Sequence, residues 1–129
     1  MKAFVLAALL LAGCATGGGG SRLGEGDWAA ADLNGVPVTG TPPTMRLADN
    51  RAGGSTGCNT WSTDYRLRSR EGISFGPVVT TRMSCPEPQM EQERRFLSIL
   101  EQVQGYSVYG DGSVSLIAPD GRAIRFRPR

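Results

Sequence analysis

From Asp27 onward the chain reads as short runs of alternating apolar and polar residues, separated by glycine-rich or Asx-Gly turns. In "DYRLRSREGISFG", Tyr65 and Leu67 alternate with Arg66 and Arg68, a turn falls near Glu71-Gly72, and Ile73 and Phe75 resume the alternation. A period of two marks antiparallel strands with one buried face, here with the arginines in water. "DWAAADLNGVPV" predicts an extended run ending at the hairpin signal Asn34-Gly35. "TMRLAD" alternates Met45 and Leu47 with polar neighbours, and Asn50 suits a turn. Toward the end, Val114, Leu116, Ile124 and Phe126 lie at period two around the turn signals Asp111-Gly112 and Asp120-Gly121. That arrangement predicts a three-stranded meander.

One segment changes period. In "SCPEPQMEQERRFLSILEQV", Phe96, Ile99, Leu100 and Val103 fall at i, i+3, i+4 and i+7, and Leu97 broadens the stripe. This predicts an amphipathic helix with Ser84 and Glu87 as a capping box, Pro86 or Pro88 in its first turn, and Gly105 as its stop. No second helix is predicted, so its apolar face must meet the concave side or open end of the sheet. The outer face carries Glu91, Arg94, Arg95 and Glu101, which suits a barrel plug better than a membrane or partner helix.

The first residues have a different character. Lys2, the apolar run Ala3 to Leu11 and the small residues before Cys14 fit a secretory signal over residues 1–13, too short to span a bilayer. "LAGC" resembles the bacterial lipobox, which implies cleavage before Cys14 and acylation of its thiol. Two or more acyl chains give stable anchoring, so the mature protein is expected to be tethered to a membrane and not to span it. Residues 14–26, beginning "CATGGGG", have little to bury and read as a flexible tether. The "GGGG" run has neither a preceding strand nor a following Lys-Ser/Thr, so it is not a phosphate-binding loop. Residues 27–129 remain as one domain.

Composition then removes functions. Of 14 Lys and Arg residues the only lysine is Lys2, and 12 Asp and Glu oppose them. That near balance argues against nucleic acid as a partner. The chain has no histidine, which removes every Ser-His-Asp or Cys-His arrangement and the commonest zinc ligand. No catalytic residues, metal or cofactor are therefore expected. An acid pair such as Asp64 and Glu93 is the residual route to a hydrolase.

Three cysteines occur, and acylation of Cys14 leaves Cys58 and Cys85. An even pair in a chain exported to an oxidising compartment is read as a disulfide. The alternatives are two separate thiols, or a reactive thiol needing a cationic neighbour for which only arginines are available.

These pieces together resemble the META (HslJ-like) domain. The resemblance rests on Trp28 followed by Leu33 to Gly35 ("LNG"), on "GCN" at Gly57 to Asn59, on "TTRMSC" at Thr80 to Cys85, and on a helix with a central Glu93. It implies a small open antiparallel β-barrel of about seven or eight short strands with one helix packed against it. It gives Trp28, Gly35, Gly57, Asn59, Thr81 and Met83 structural roles, with Gly57 permitting a turn and Asn59 bonding local backbone or turning left-handed. The functional alternative makes Asn59, Thr81 and Arg82 a polar site near the disulfide. One departure is "CNTWS", where the family more often has tyrosine or phenylalanine and then Ser-Gly. Trp61 suits the same half-buried strand.

Family members are commonly envelope lipoproteins associated with heat or drug stress, motility and secretion, without an established molecular activity. The expected function is therefore a non-enzymatic, lipid-anchored module that binds or supports an envelope component. The alternative is a carrier of a small apolar ligand or lipid inside the barrel. A protease-inhibitor role stays open, because exposed barrel loops can present an inhibitory segment, although nothing in the sequence favours it. Arg122, Arg125, Arg127 and Arg129 alternate along the last strand or trail from it, and read as a solvated edge that blocks strand pairing, more than as a face for anionic headgroups. Ala15, where aspartate would favour inner-membrane retention, points to the periplasmic face of the outer membrane.

Overall fold

The structure is a computed structural model, described over residues 22–129; the expected signal, Cys14 and most of the tether fall outside the described residues. Ten strands and one helix follow in order: β1 (Gly26–Leu33), β2 (Val36–Pro37), β3 (Thr44–Ala48), β4 (Arg51–Ser55), β5 (Thr60–Arg68), β6 (Gly72–Phe75), β7 (Val79–Thr80), α1 (Glu87–Leu100), β8 (Gly105–Val108), β9 (Val114–Ile117) and β10 (Ala123–Pro128). Eight of the strands form an antiparallel barrel in the order β1-β3-β4-β5-β6-β8-β9-β10, and β10 returns to pair with β1. β2 extends β1, and β7 lies on β5.

The barrel is closed where an open one was expected. Trp28 pairs with Pro128 at one end of the β1–β10 seam and Leu33 with Ile124 at the other, across an irregularity between Ala30 and Asp32. A bulge adds local twist, which helps a short strand reach across the barrel's curvature. This closure also corrects the reading of the last arginines. β10 is paired on both sides, with β9 and β1, so Arg125 and Arg127 do not guard an edge. They stand on the outer face while Ile124 and Phe126 fill the inside, and the Arg125 guanidinium lies 4.9 Å over the Tyr109 ring.

The period-two residues point inward as expected. Met45, Leu47, Ile73, Leu116, Ile124 and Phe126 are almost wholly buried. The turns follow their chemistry. Asn34 and Gly35 both take positive φ, as a two-residue hairpin requires, and Asp49 and Asn50 do the same between β3 and β4. The β5–β6 turn sits one residue earlier than expected, at Arg70 and Glu71, because Gly72 already belongs to β6 and pairs with Gly105. In the meander, Asp111 and Asp120 accept bonds from the Ser113 and Arg122 amides, and those bonds hold both carboxyls below their ordinary range.

The helix plugs the barrel. Phe96 has no exposed surface and meets the Trp61 and Phe126 rings edge-on, at centroid distances of 5.9 and 6.4 Å. Both expected helix boundaries move. The N-cap is Pro86, with no side-chain cap, and not Ser84. A residue before proline is driven out of helical φ/ψ, so Cys85 cannot continue a helix begun at Ser84. The Pro86 carbonyl instead receives the Gln89 and Met90 amides. The far end stops at Leu100, a short turn carries the buried Val103, and Gly105 opens β8.

Candidate functional site

The β4–β5 loop, the N-terminal half of α1 and the segment before the helix converge on one polar cluster. The loop closes on itself, since the Thr56 amide donates to the Asn59 carbonyl at 2.7 Å and the Asn59 amide donates to Thr56 Oγ1 at 2.8 Å. Gly57, at φ 96°, makes the loop possible: a Cβ there would sit 2.8 Å from the Thr41 carbonyl oxygen. Gly54 just upstream is tighter still, at 2.3 Å from the Thr44 carbonyl oxygen.

Glu93 reaches this loop from the inner face of α1, three residues before Phe96, and is 7% exposed. Its Oε1 accepts from Thr56 Oγ1 at 2.6 Å and from Asn59 Nδ2 at 2.8 Å. Asn59 then uses its remaining capacity on the segment before the helix. Nδ2 donates to the Met83 carbonyl at 3.2 Å, while Oδ1 accepts the Met83 amide at 2.7 Å and Thr81 Oγ1 at 3.0 Å. Oδ1 accepts two bonds, and Nδ2 donates to two oxygens with a longer contact to Cys58 Sγ at 3.6 Å, so the pattern fixes which is oxygen. The family-motif residues Asn59, Thr81 and Met83 are thus brought together. Asn59 acts across 24 residues of sequence and does not merely bond local backbone or turn left-handed. It has no positive φ.

Cys58 and Cys85 form a disulfide with a sequence separation of 27. Closing such a loop stabilises the fold by roughly 3.5 kcal/mol through the unfolded chain. The covalent bridge and the Asn59 clasp act on the same segment, Thr81 to Cys85. Yet that segment is exposed from Thr81 to Ser84. Val79 and Met83 show 66% and 61% of their surface, among the few large apolar side chains that do so.

Other sequence candidates stand apart. Trp28 is a core residue whose Nε1 donates to the Gly112 carbonyl at 3.1 Å, and Gly35 is a turn residue. Arg82 is exposed and bonds to neither Asn59 nor Thr81, so the expected polar trio is a pair. Asp64 stands on the outer face of β5, ion-paired with Arg51, while Glu93 is buried and bonded inside. They do not form a carboxylate pair. The space where a carrier would hold an apolar ligand is taken by Phe96 and Leu100, both fully buried, with Leu97 packed beside them.

A surface groove of about 480 Å³ runs between α1 and the β1–β2 turn, lined by Val36, Glu91, Arg94, Arg95 and Arg122 among others. Its cations are already matched. Arg94 and Arg95 bind Glu91, whose carboxyl the Arg94 bond holds below its ordinary range, and Arg122 binds Asp120. Among the described residues no group of three or more His, Cys, Asp or Glu is placed to hold a metal ion, and no helix is long and apolar enough to cross a membrane.

Thr56 and the inward role of Glu93 were not read from the sequence. The available signal was a glutamate three residues before the apolar stripe of α1, on its buried side.

The comparisons with known proteins agree with this architecture. The family described as META domain matches residues 21–129. No curated protein matches the chain. The fold is similar to an NMR structure of a protein from Burkholderia xenovorans, with a TM-score of 0.70 and 24% identity over 81% of this chain and 82% of that one. A second NMR structure is similar with a TM-score of 0.64 and 21% identity, over 81% of this chain and 89% of its own. At these identities the likeness concerns the fold alone.

Proposed function

The chain belongs to the META domain family, and from that premise we propose that it is a non-enzymatic envelope module, lipid-anchored through Cys14, that binds another envelope component through the segment Val79 to Ser84. The observation that carries this reading is the use made of the buried polar groups. Thr56, Asn59, Glu93 and the disulfide all act to hold one exposed segment still. Binding to a fixed segment avoids the ordering cost that a mobile loop would incur at the interface. Exposed Val79 and Met83 supply apolar contact area beside it. A role in envelope stress or secretion, at the periplasmic face of the outer membrane, accords with the signal and lipobox pattern of residues 1–14 and with the family.

Photo-crosslinkers placed at Val79 and at Met83 in the full-length protein, in its own envelope, test the reading. The expected result is one discrete protein partner from both positions and none from Asp64 on the outer face of β5. No partner above background from either position would overturn it.

A further inference from the structure

The backbone of the held segment shows which partner it fits. β7 pairs with β5 in the register Trp61 to Thr80 and Ser62 to Val79, and the Thr81 amide donates to the Thr60 carbonyl at 3.1 Å. In an antiparallel ladder, alternate residues turn their N–H and C=O toward the neighbouring strand. Residues 79 and 81 therefore face β5 and Thr80 turns its backbone groups outward, while Arg82 lies just past the end of the ladder, where the Thr60 amide already donates to Thr81 Oγ1 and not to a carbonyl. Arg82 is exposed, forms no ion pair among the described residues, and is followed by Met83, whose amide and carbonyl are both held by Asn59. We infer that Thr80 to Met83 is a substrate-mimicking inhibitory loop for an arginine-directed serine protease, with Arg82 in the primary specificity pocket. This rests on the reading of the segment as the binding surface and names the class of partner.

Such a protease adds its substrate as an antiparallel strand, bonding the backbone of the residue before the cut and of the residue two positions upstream. Those positions are Arg82 and Thr80. A free arginine with no carboxylate neighbour supplies the cation that the pocket selects. The disulfide explains why the loop inhibits instead of being consumed. Attack of the protease serine on the Arg82 carbonyl forms an ester and frees the Met83 amine, which takes the proton the serine gave up. Cys58 lies on the acyl side of that cut and Cys85 on the amine side, so the bridge keeps both halves joined. Asn59 Oδ1 holds the Met83 nitrogen at 2.7 Å. The amine stays at high effective concentration, attacks the ester, re-forms the peptide bond and returns the proton and the serine.

The test uses the full chain with its disulfide intact against trypsin acting on a small arginyl substrate. Inhibition at a one-to-one ratio is expected, with Arg82→Ala weakening it at least about 100-fold. Arg82→Leu is expected to lose trypsin and gain chymotrypsin, an exchange that a folding defect would not produce. Reduction of the bridge is expected to turn the chain into a substrate cut after Arg82. Failure to inhibit trypsin at micromolar chain, or steady turnover at Arg82 with the bridge intact, overturns the inference. The crosslinking experiment repeated with Arg82→Ala separates the two readings. If inhibition is absent but Val79 and Met83 still capture their partner, the inhibitor inference falls and the binding module stands; if capture is also absent, both fall.

Discussion

Two amide side chains in this protein make the same clasp in different surroundings. Asn59 holds the Met83 amide and carbonyl, and Gln92 holds the Thr39 amide and carbonyl at 2.9 and 3.1 Å. The Gln92 clasp is exposed, so water can replace both bonds when they break. The Asn59 clasp is backed by a buried glutamate and threonine, and its loss leaves polar groups without partners in a low-dielectric site. Identical bonds are therefore expected to differ in worth because of what stands behind them, and the exposed segment Thr81 to Ser84 belongs to the buried clasp.

Removing the covalent support should have the largest effect. Cys58→Ser with Cys85→Ser is expected to lower unfolding free energy by about 3.5 kcal/mol in urea denaturation. Asn59→Ala is expected to cost about 3 kcal/mol, because Glu93 and the Met83 amide lose partners together. A cost equal to that of the exposed clasp would break the comparison. Gly57→Ala should cost about 2 kcal/mol, from its left-handed backbone and the nearby Thr41 carbonyl. Gln92→Ala should change stability by no more than about 0.5 kcal/mol, as exposed substitutions do. Thermal and urea unfolding of the four variants under one set of conditions would order them.

The strands and the helix stripe were legible because each is a local period, visible in Tyr65 to Phe75 and in Phe96 to Val103. The hairpin at Asn34-Gly35 and the meander turns were legible because their residues carry their own backbone preferences. Closure of the barrel was not, since Arg125 and Arg127 alternate in the same way on an edge strand and on a paired one. The helix start was not legible from the Ser84–Glu87 capping spacing, because Pro86 drives Cys85 out of helical backbone and becomes the N-cap itself. At the site, the disulfide was legible from the cysteine number and from the export that residues 1–13 lead one to expect. The clasp was not, because the bonds from Asn59 to Glu93 and Met83 cross 34 and 24 residues and only the fold sets that distance.

The central claim is that the buried Asn59 cluster fixes an exposed segment. Amide hydrogen exchange at residues 81–84 tests it most directly. The Met83 amide should be protected at least about 100-fold over that of Arg82, its neighbour in the same exposed segment, and Asn59→Ala should abolish the difference. Exchange of Met83 at the rate of Arg82 in the unaltered protein would contradict the account.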